Sequence, residues 1–458
     1  MTKRDWPAWL RPVDVFDLLK FATPIAVSRA SMMLMALTDT IVLSRNAPEE
    51  LSFVLNAWFP MSIAMGISMG LLLGVSILTA EMSGRGDAKD TGRIFRRGLL
   101  ISFAFGIPAT LVIVFGSEPL FRAFGFDGGL LAGATSATRI LAYGLVAHML
   151  SNAAAAYLEA LRKPTFVTVS MYAGVVINLF VDLAFVASSW GFPALGADGV
   201  AIATTGTRWV IAVILIVFIY FQTPGFKASA AGPAGEFMKQ LKLGYGMAVS
   251  SVTEWGAFNF SFIIATKASL VAGTVYGMVV HTIGFVFMAF LGIGTATSVR
   301  VAENVGAQRV AESGNAARLG VVTTIIVGAI AGGLMFVFSD RIAFIFVKQD
   351  EMLQDVLLYP LLTELIAIAA IVVIFDGLQN VASMASRSLG SVWPPSLIHL
   401  GSYAFLMLPL AWILALNFDR GVYGVLEGVI IASLIAGVLQ VVFLEYYFAK
   451  QRRRAPGD

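Results

Sequence analysis

The chain has 458 residues, 58% of them hydrophobic and 13% charged, with a formal net charge of +3 and no cysteine, and its mean hydropathy is +0.83. That balance leaves too little polar surface to cover a soluble globule of this length, and without cysteine there is neither disulfide nor thiol chemistry. Backbone groups in lipid must pair within their own element, and the apolar runs lack a period of two, so an all-α membrane bundle is expected rather than a barrel.

Apolar runs of about twenty residues or more fall near residues 18 to 44, 53 to 80, 94 to 116, 134 to 160, 165 to 188 and 197 to 221. A second set falls near 240 to 266, 274 to 298, 316 to 339, 355 to 386, 393 to 416 and 424 to 448. About twelve spans are therefore expected, six per half. Residues 1–221 form an N-lobe, 222–239 a Gly-, Ala-, Ser- and Pro-containing cytoplasmic linker, 240–448 a C-lobe and 449–458 a basic cytoplasmic tail.

The halves repeat one another. Leu19-Lys20 recurs as Leu241-Lys242, Ala80-Glu81-x-x-Gly84 as Ala302-Glu303-x-x-Gly306 and Arg96 as Arg318, all at an offset of 222. Gly196-x-x-Gly199-Val200 returns as Gly421-x-x-Gly424-Val425 at an offset of 225. Repeated halves in a membrane chain are a transporter signature.

Orientation follows from Lys and Arg. One set of loops holds clusters such as Lys3, Arg4 and Arg11, then Arg85 to Arg97, Arg162-Lys163, Lys227 to Lys242, Arg300 to Arg318, Arg387 and Arg452-Arg453-Arg454. The opposite loops hold Arg45, Arg122, Arg139, Lys267, Arg341, Lys348 and Arg420. Both termini are then cytoplasmic, as an even number of spans requires, and the tail arginines meet anionic lipid head groups rather than nucleic acid. The N-terminus has no signal-peptide pattern, and Trp6 and Trp9 are expected at the cytoplasmic interface.

An enzyme is not expected. His148, His281 and His399 are far apart, and neither H-E-x-x-H nor a G-x-x-x-x-G-K-[ST] loop occurs. A charged side chain at the bilayer centre costs about 2.5 to 3.5 kcal/mol on the insertion scale, so acids inside spans are the candidates for function. They are Asp39, Asp182, Glu254, Glu364 and Asp376, with Glu159 and Glu427 nearer the ends. Asn178 and Asp182, four apart, share one helix face. A carboxylate beside an amide oxygen can ligate sodium or hold a proton, although Asn178 could equally only satisfy Asp182.

Pro24 in the first helix, Asp39-Thr40-Ile41-Val42-Leu43-Ser44-Arg45, Asn178-x-x-x-Asp182 and Gly196-x-x-Gly199-Val200-Ala201-Ile202-Ala203-Thr204 resemble the multidrug and toxic compound extrusion (MATE) transporters of bacteria. So do Glu254, Arg300-Val301-Ala302-Glu303-x-x-Gly306 and Phe375-Asp376-Gly377-Leu378-Gln379 in the second half. The likeness spans nearly the whole chain. It departs where the family often has Gly in place of Ser44, and where an Ala-Leu-Arg-Gly run is replaced by Ala385-Ser386-Arg387-Ser388.

The resemblance implies two six-helix lobes in a V around a central cleft, in the bacterial inner membrane, acting as a monomer. It implies antiport, driven by sodium or protons, that exports amphipathic, cationic organic compounds by alternating access, with no cofactor beyond the coupling ion. In the N-lobe, Asp39, Asn178, Asp182 and Thr204 would form the cation site, linked to bending of the first helix near Pro24. In the C-lobe, Glu254 and Asp376 would bind sodium or cationic substrate. A lipid-linked precursor flippase of the same superfamily and a major-facilitator carrier are the alternatives, the latter on Gly86-x-x-x-Asp90-x-Gly92-Arg93.

Other features have packing explanations. Gly66, Gly70 and Gly74 allow close helix approach, and Met32, Met33, Met35, Met61, Met65 and Met69 fit ordinary helix packing as well as an adaptable cleft. Arg29 and Arg208 could pair with acids, although long side chains near helix ends usually extend toward the interface, and His281 is expected to pack with a hydrogen bond.

Overall fold

A computed structural model describes residues 11–453. The interfacial position of Trp6 and Trp9 and the role of Arg454 lie outside the described residues. Among the described residues, eleven helices are long and apolar enough to cross a membrane. In chain order they are α1 (Val13–Asn46), α2 (Pro48–Arg85), α3 (Ala88–Ala123), α4 (Gly128–Ala160), α5 (Pro164–Phe185) and α6 (Gly196–Gln222), then α8 (Leu270–Gly306), α9 (Val310–Val337), α10 (Leu358–Ser388), α11 (Trp393–Asn417) and α12 (Gly421–Arg452). Between the two sets lies α7 (Glu236–Ala268), 33 residues long and made more polar by Ser250, Ser251, Thr253, Glu254, Asn259 and Ser261. The fold is all-α and membrane-embedded, with twelve long helices.

Contacts divide the chain into an N-unit, Val27–Ala248, and a C-unit made of Val249 onward together with α1 up to Ala26. The two cuts, after Ala26 and after Ala248, are themselves 222 residues apart. The first half of α1 buries Leu18, Ala22 and Ile25 in the C-unit core, and a Cβ on Gly292 of α8 would lie only 2.7 Å from the Ala22 carbonyl oxygen and 2.8 Å from the Ala26 Cβ. The equivalent pair, at the same offset of 222 with the halves exchanged, is Gly70 of α2 against the backbone of Ala248 in the first half of α7, where a Cβ would also collide. Gly74 packs likewise on Gln240. The small-residue face of α2 is thus a packing face, as its spacing implied.

The second repeat has a structural cause too. Gly196 and Gly421 open α6 and α12 with φ of +53°, a left-handed conformation that glycine adopts without a Cβ penalty. Three residues on, a Cβ at Gly199 would lie 2.8 Å from the Phe185 carbonyl oxygen, and one at Gly424 would lie 2.6 Å from Leu414 backbone. Each glycine pair turns the chain into its helix and then seats that helix against the end of the preceding one.

Residues 223–235 join α6 to α7, and the arginines of α3 hold them. Arg96 donates to the Lys227 carbonyl at 2.7 Å and to Ser229 Oγ at 2.7 Å. Arg93 and Arg97 bind Glu236 at 2.9 and 2.6 Å, and Lys239 binds Glu81 at 2.7 Å. The positive charges of this loop cluster are therefore partly neutralised within the N-unit.

Three expectations need correction. Arg29 pairs with an acid instead of extending to the interface: Nη2 donates to both oxygens of Glu159, at 3.1 and 3.0 Å, in a part-buried pair between α1 and α4. Arg387 is not a loop residue but lies fully buried in α10. His281 is exposed rather than packed. In the first two cases a carboxylate or a set of hydroxyls inside the bundle compensates the charge, which sequence spacing alone does not reveal.

Candidate functional site

In the N-unit the fold brings together the four residues proposed from sequence. Asp39 comes from α1, Asn178 and Asp182 from one face of α5, and Thr204 from α6; all four are at most 2% exposed. Thr204 Oγ1 donates to Asp39 Oδ2 at 2.9 Å. Asp182 and Asn178 lie near enough to act on the Asp39 carboxylate, yet no well-formed hydrogen bond reaches Asp39 Oδ1, Asn178 Oδ1 or either oxygen of Asp182 among the described residues. Four acceptor oxygens and the Asn178 amide nitrogen thus stand buried without partners among the described residues, which is rare unless something else satisfies them.

Arg208, one turn beyond Thr204 on α6, adds a cation. Its guanidinium is buried and acts on Asp39 through space. As at Arg29, interaction with an acid rather than extension to the interface is what the fold gives. The spacing of four from Thr204 was the available signal, since i and i+4 share a face.

In the C-unit, Glu254 of α7 and Asp376 of α10 meet at one amide. Gln379 Nε2 donates to Glu254 Oε1 at 2.8 Å and to Asp376 Oδ1 at 3.3 Å. Tyr403 of α11 donates its hydroxyl to Asp376 Oδ1 at 3.2 Å. Tyr403 sits in a π-helical stretch, Leu400–Met407, and a second such stretch follows at Ile413–Asn417. Between them is Pro409, which has no N–H to offer in any register. Wide winding of this kind often marks a functional position.

One turn before Glu254 on α7, Ser250 Oγ accepts from Arg387 at 2.6 Å; Arg387 also donates to Ser396 Oγ at 3.0 Å and to Ser383. It is close enough to act on Glu254. Asp376, Gln379, Ser383 and Arg387 follow spacings of three and four, a single helix face. Ser250 and Glu254 do the same on α7. Beside them, neither ring nitrogen of buried His399 has a hydrogen-bond partner. Sequence reading found the two acids and missed Gln379, Tyr403, Arg387 and His399 as their neighbours; helical periodicity could have given the first and third.

The remaining acids are paired near helix ends. Glu364 accepts from Tyr423 at 2.7 Å, and Glu427 from Arg420 at 2.5 Å. No group of three or more His, Cys, Asp or Glu side chains is placed to hold a metal among the described residues. Any cation at either cluster would therefore be held by carboxylate pairs with amide and hydroxyl oxygens.

The MatE family model matches residues 24–184 and again 247–413. This chain belongs to the MATE family. The two matched segments follow the internal repeat, and they exclude the major-facilitator alternative. The chain is 33% identical over 428 residues to the probable multidrug resistance protein NorM of Caulobacter vibrioides, covering 92% of this chain and 89% of that protein. It is 27% identical to the Deinococcus radiodurans protein of the same name, covering 96% of each. The fold matches a eukaryotic MATE transporter, AtDTX14, with a TM-score of 0.85 at 18% identity over 96% of this chain and 99% of that one. It matches a MOP superfamily transporter from Pyrococcus furiosus equally, with a TM-score of 0.85 at 17% identity over 94% and 95%. The MATE chain is an integral membrane protein of transporter type.

Proposed function

We propose that this MATE protein is an antiporter of the bacterial inner membrane, exporting amphipathic organic compounds, cationic ones among them, as sodium ions or protons enter. The observation that carries the reading is the set of four undonated oxygens at Asp39, Asn178 and Asp182. Arg208 offsets one charge only, so two carboxylates in a low-dielectric pocket do not both stay charged unless a further cation enters, and an all-oxygen set accepts either a proton or a hard ion such as sodium. The printed names of the NorM relatives support drugs as cargo.

Entry of the cation would change the hydrogen bonding around Asp39 and hence the conformation of α1. Pro24, which lacks a backbone donor, stands two residues before the cut between units at Ala26, and its counterpart 222 residues on is Gly246. Both are weak points in a helix, where bending costs least. Two conformations with different affinities for cargo then couple cation entry to export. Glu254 and Asp376 would draw cationic cargo or hold a second coupling ion in the C-unit.

Expression in a host lacking its own pumps should raise the concentration of cationic dye needed to stop growth. A lipid-linked precursor flippase, the rival reading, would leave dye susceptibility unchanged.

Both termini are proposed to be cytoplasmic, on the charge asymmetry of the loops. The chain has no cysteine, so Lys89→Cys is a clean reporter. It should resist an impermeant thiol reagent in intact cells and react in inverted vesicles; labelling from outside would reverse the topology.

A further inference from the structure

We propose that the N-unit holds a subsite for amphipathic carboxylates, with the Arg208 guanidinium as the group that receives them. The subsite is a cavity walled by Met32, Met35, Trp58, Met65, His148 and Arg208. Thioethers and an indole make adaptable apolar walls. The charged group among them is the feature that needs an explanation.

Arg208 is 7% exposed. Its Nη2 reaches the Met65 sulfur at 3.5 Å, a weak acceptor, and its Nη1 has no hydrogen-bond partner. Its guanidinium carbon stands 5.4 Å from the centre of the Trp58 ring. Its stem runs close over Gly144, where an added Cβ would lie 3.2 Å from the Arg208 Cδ. Buried guanidinium groups are ordinarily bound by carboxylates, and the same unit does so for Arg29 with Glu159. Asp39 acts on Arg208 through space but hydrogen-bonds Thr204 instead.

A desolvated guanidinium in the wall of a largely apolar cavity, with one nitrogen unpartnered among the described residues, is complementary to a planar carboxylate, which can accept from it with charge assistance. An aromatic body attached to that carboxylate would lie among Trp58 and the methionines. This adds a cargo class to the export reading above and rests on it only for the ligand's being cargo.

The test is equilibrium binding of pyrenebutyrate to the purified full-length protein in detergent, with no ion gradient, compared with its uncharged methyl ester and corrected for partition into empty micelles. The wild type should bind the carboxylate about tenfold more tightly than the ester, the scale of one charge-assisted hydrogen bond. Arg208→Gln should abolish that preference and Arg208→Lys should retain part of it. Should Arg208→Gln fail to fold, Ala36→Phe fills the cavity from another wall and should weaken both ligands. Equal binding of acid and ester by the wild type, or a preference that survives Arg208→Gln, would overturn the proposal. Because no gradient is used, a failure of cation-driven export leaves this result standing, and the converse also holds.

Discussion

Asp39→Asn and Asp182→Asn should each reduce gradient-driven efflux to the passive leak while leaving normal amounts of protein in the membrane. Each carboxylate lies buried beside the other, and with Asn178 they present the four oxygens that lack donors. Converting either to an amide removes a negative charge and replaces an acceptor with a donor, so a cation loses both charge and ligand. The amide can also satisfy its neighbour, which is why folding should survive where function does not. The informative quantity is the coupling. Residues of one site fail together, so the double variant should lose little beyond either single one, a non-additivity of about 0.5 to 3 kcal/mol when the rates are converted. Efflux at the wild-type rate by the double variant would remove coupling from the N-unit and leave Glu254 and Asp376 as its seat.

Asp376→Asn should lower efflux of permanently cationic dyes by about tenfold, the equivalent of some 1.4 kcal/mol, and Glu254→Gln should do nearly the same. Gln379 holds the two carboxylates together through one amide nitrogen, and Arg387 supplies a single opposing charge nearby. With both acids charged, the one guanidinium acting on Glu254 leaves a net negative charge that attracts a cation; removing either acid takes one unit of that charge away. An uncharged amphipathic substrate should therefore be affected much less, and the ratio of the two rates separates attraction from general damage. If cationic dyes leave at the wild-type rate with the same ion dependence in Asp376→Asn, the C-unit acids are structural.

Much of this architecture is legible in the sequence because lipid imposes it. Helices must be long and apolar, and a duplicated half keeps glycines where backbones meet, so Gly196 and Gly421 announce equivalent turns. The acids stood out because a charge inside a span is costly. What stayed hidden was set by tertiary packing. The cuts between units fall inside α1 and α7, where no turn residue marks them. α2 is interrupted at Leu72 and α4 at Tyr143-Gly144, within apolar runs that read as continuous. The loop after α9 holds a short helix, Ser339–Phe346, and a two-stranded hairpin, Met352–Leu353 with Val356–Leu357. Its turn places Gln354 and Asp355 at φ of 49° and 61°, positions where Asn-Gly would have been the recognisable signal. Arg387 was assigned to a loop because it is charged and near a helix end, yet three serine hydroxyls solvate it inside the bundle.

Dye efflux from proteoliposomes under an imposed gradient tests cation-coupled antiport most directly. Dye should move against an opposing sodium gradient, a pH gradient or both, stop when that gradient is collapsed, and stop equally in Asp39→Asn. Dye movement at one rate with and without either gradient would contradict the account.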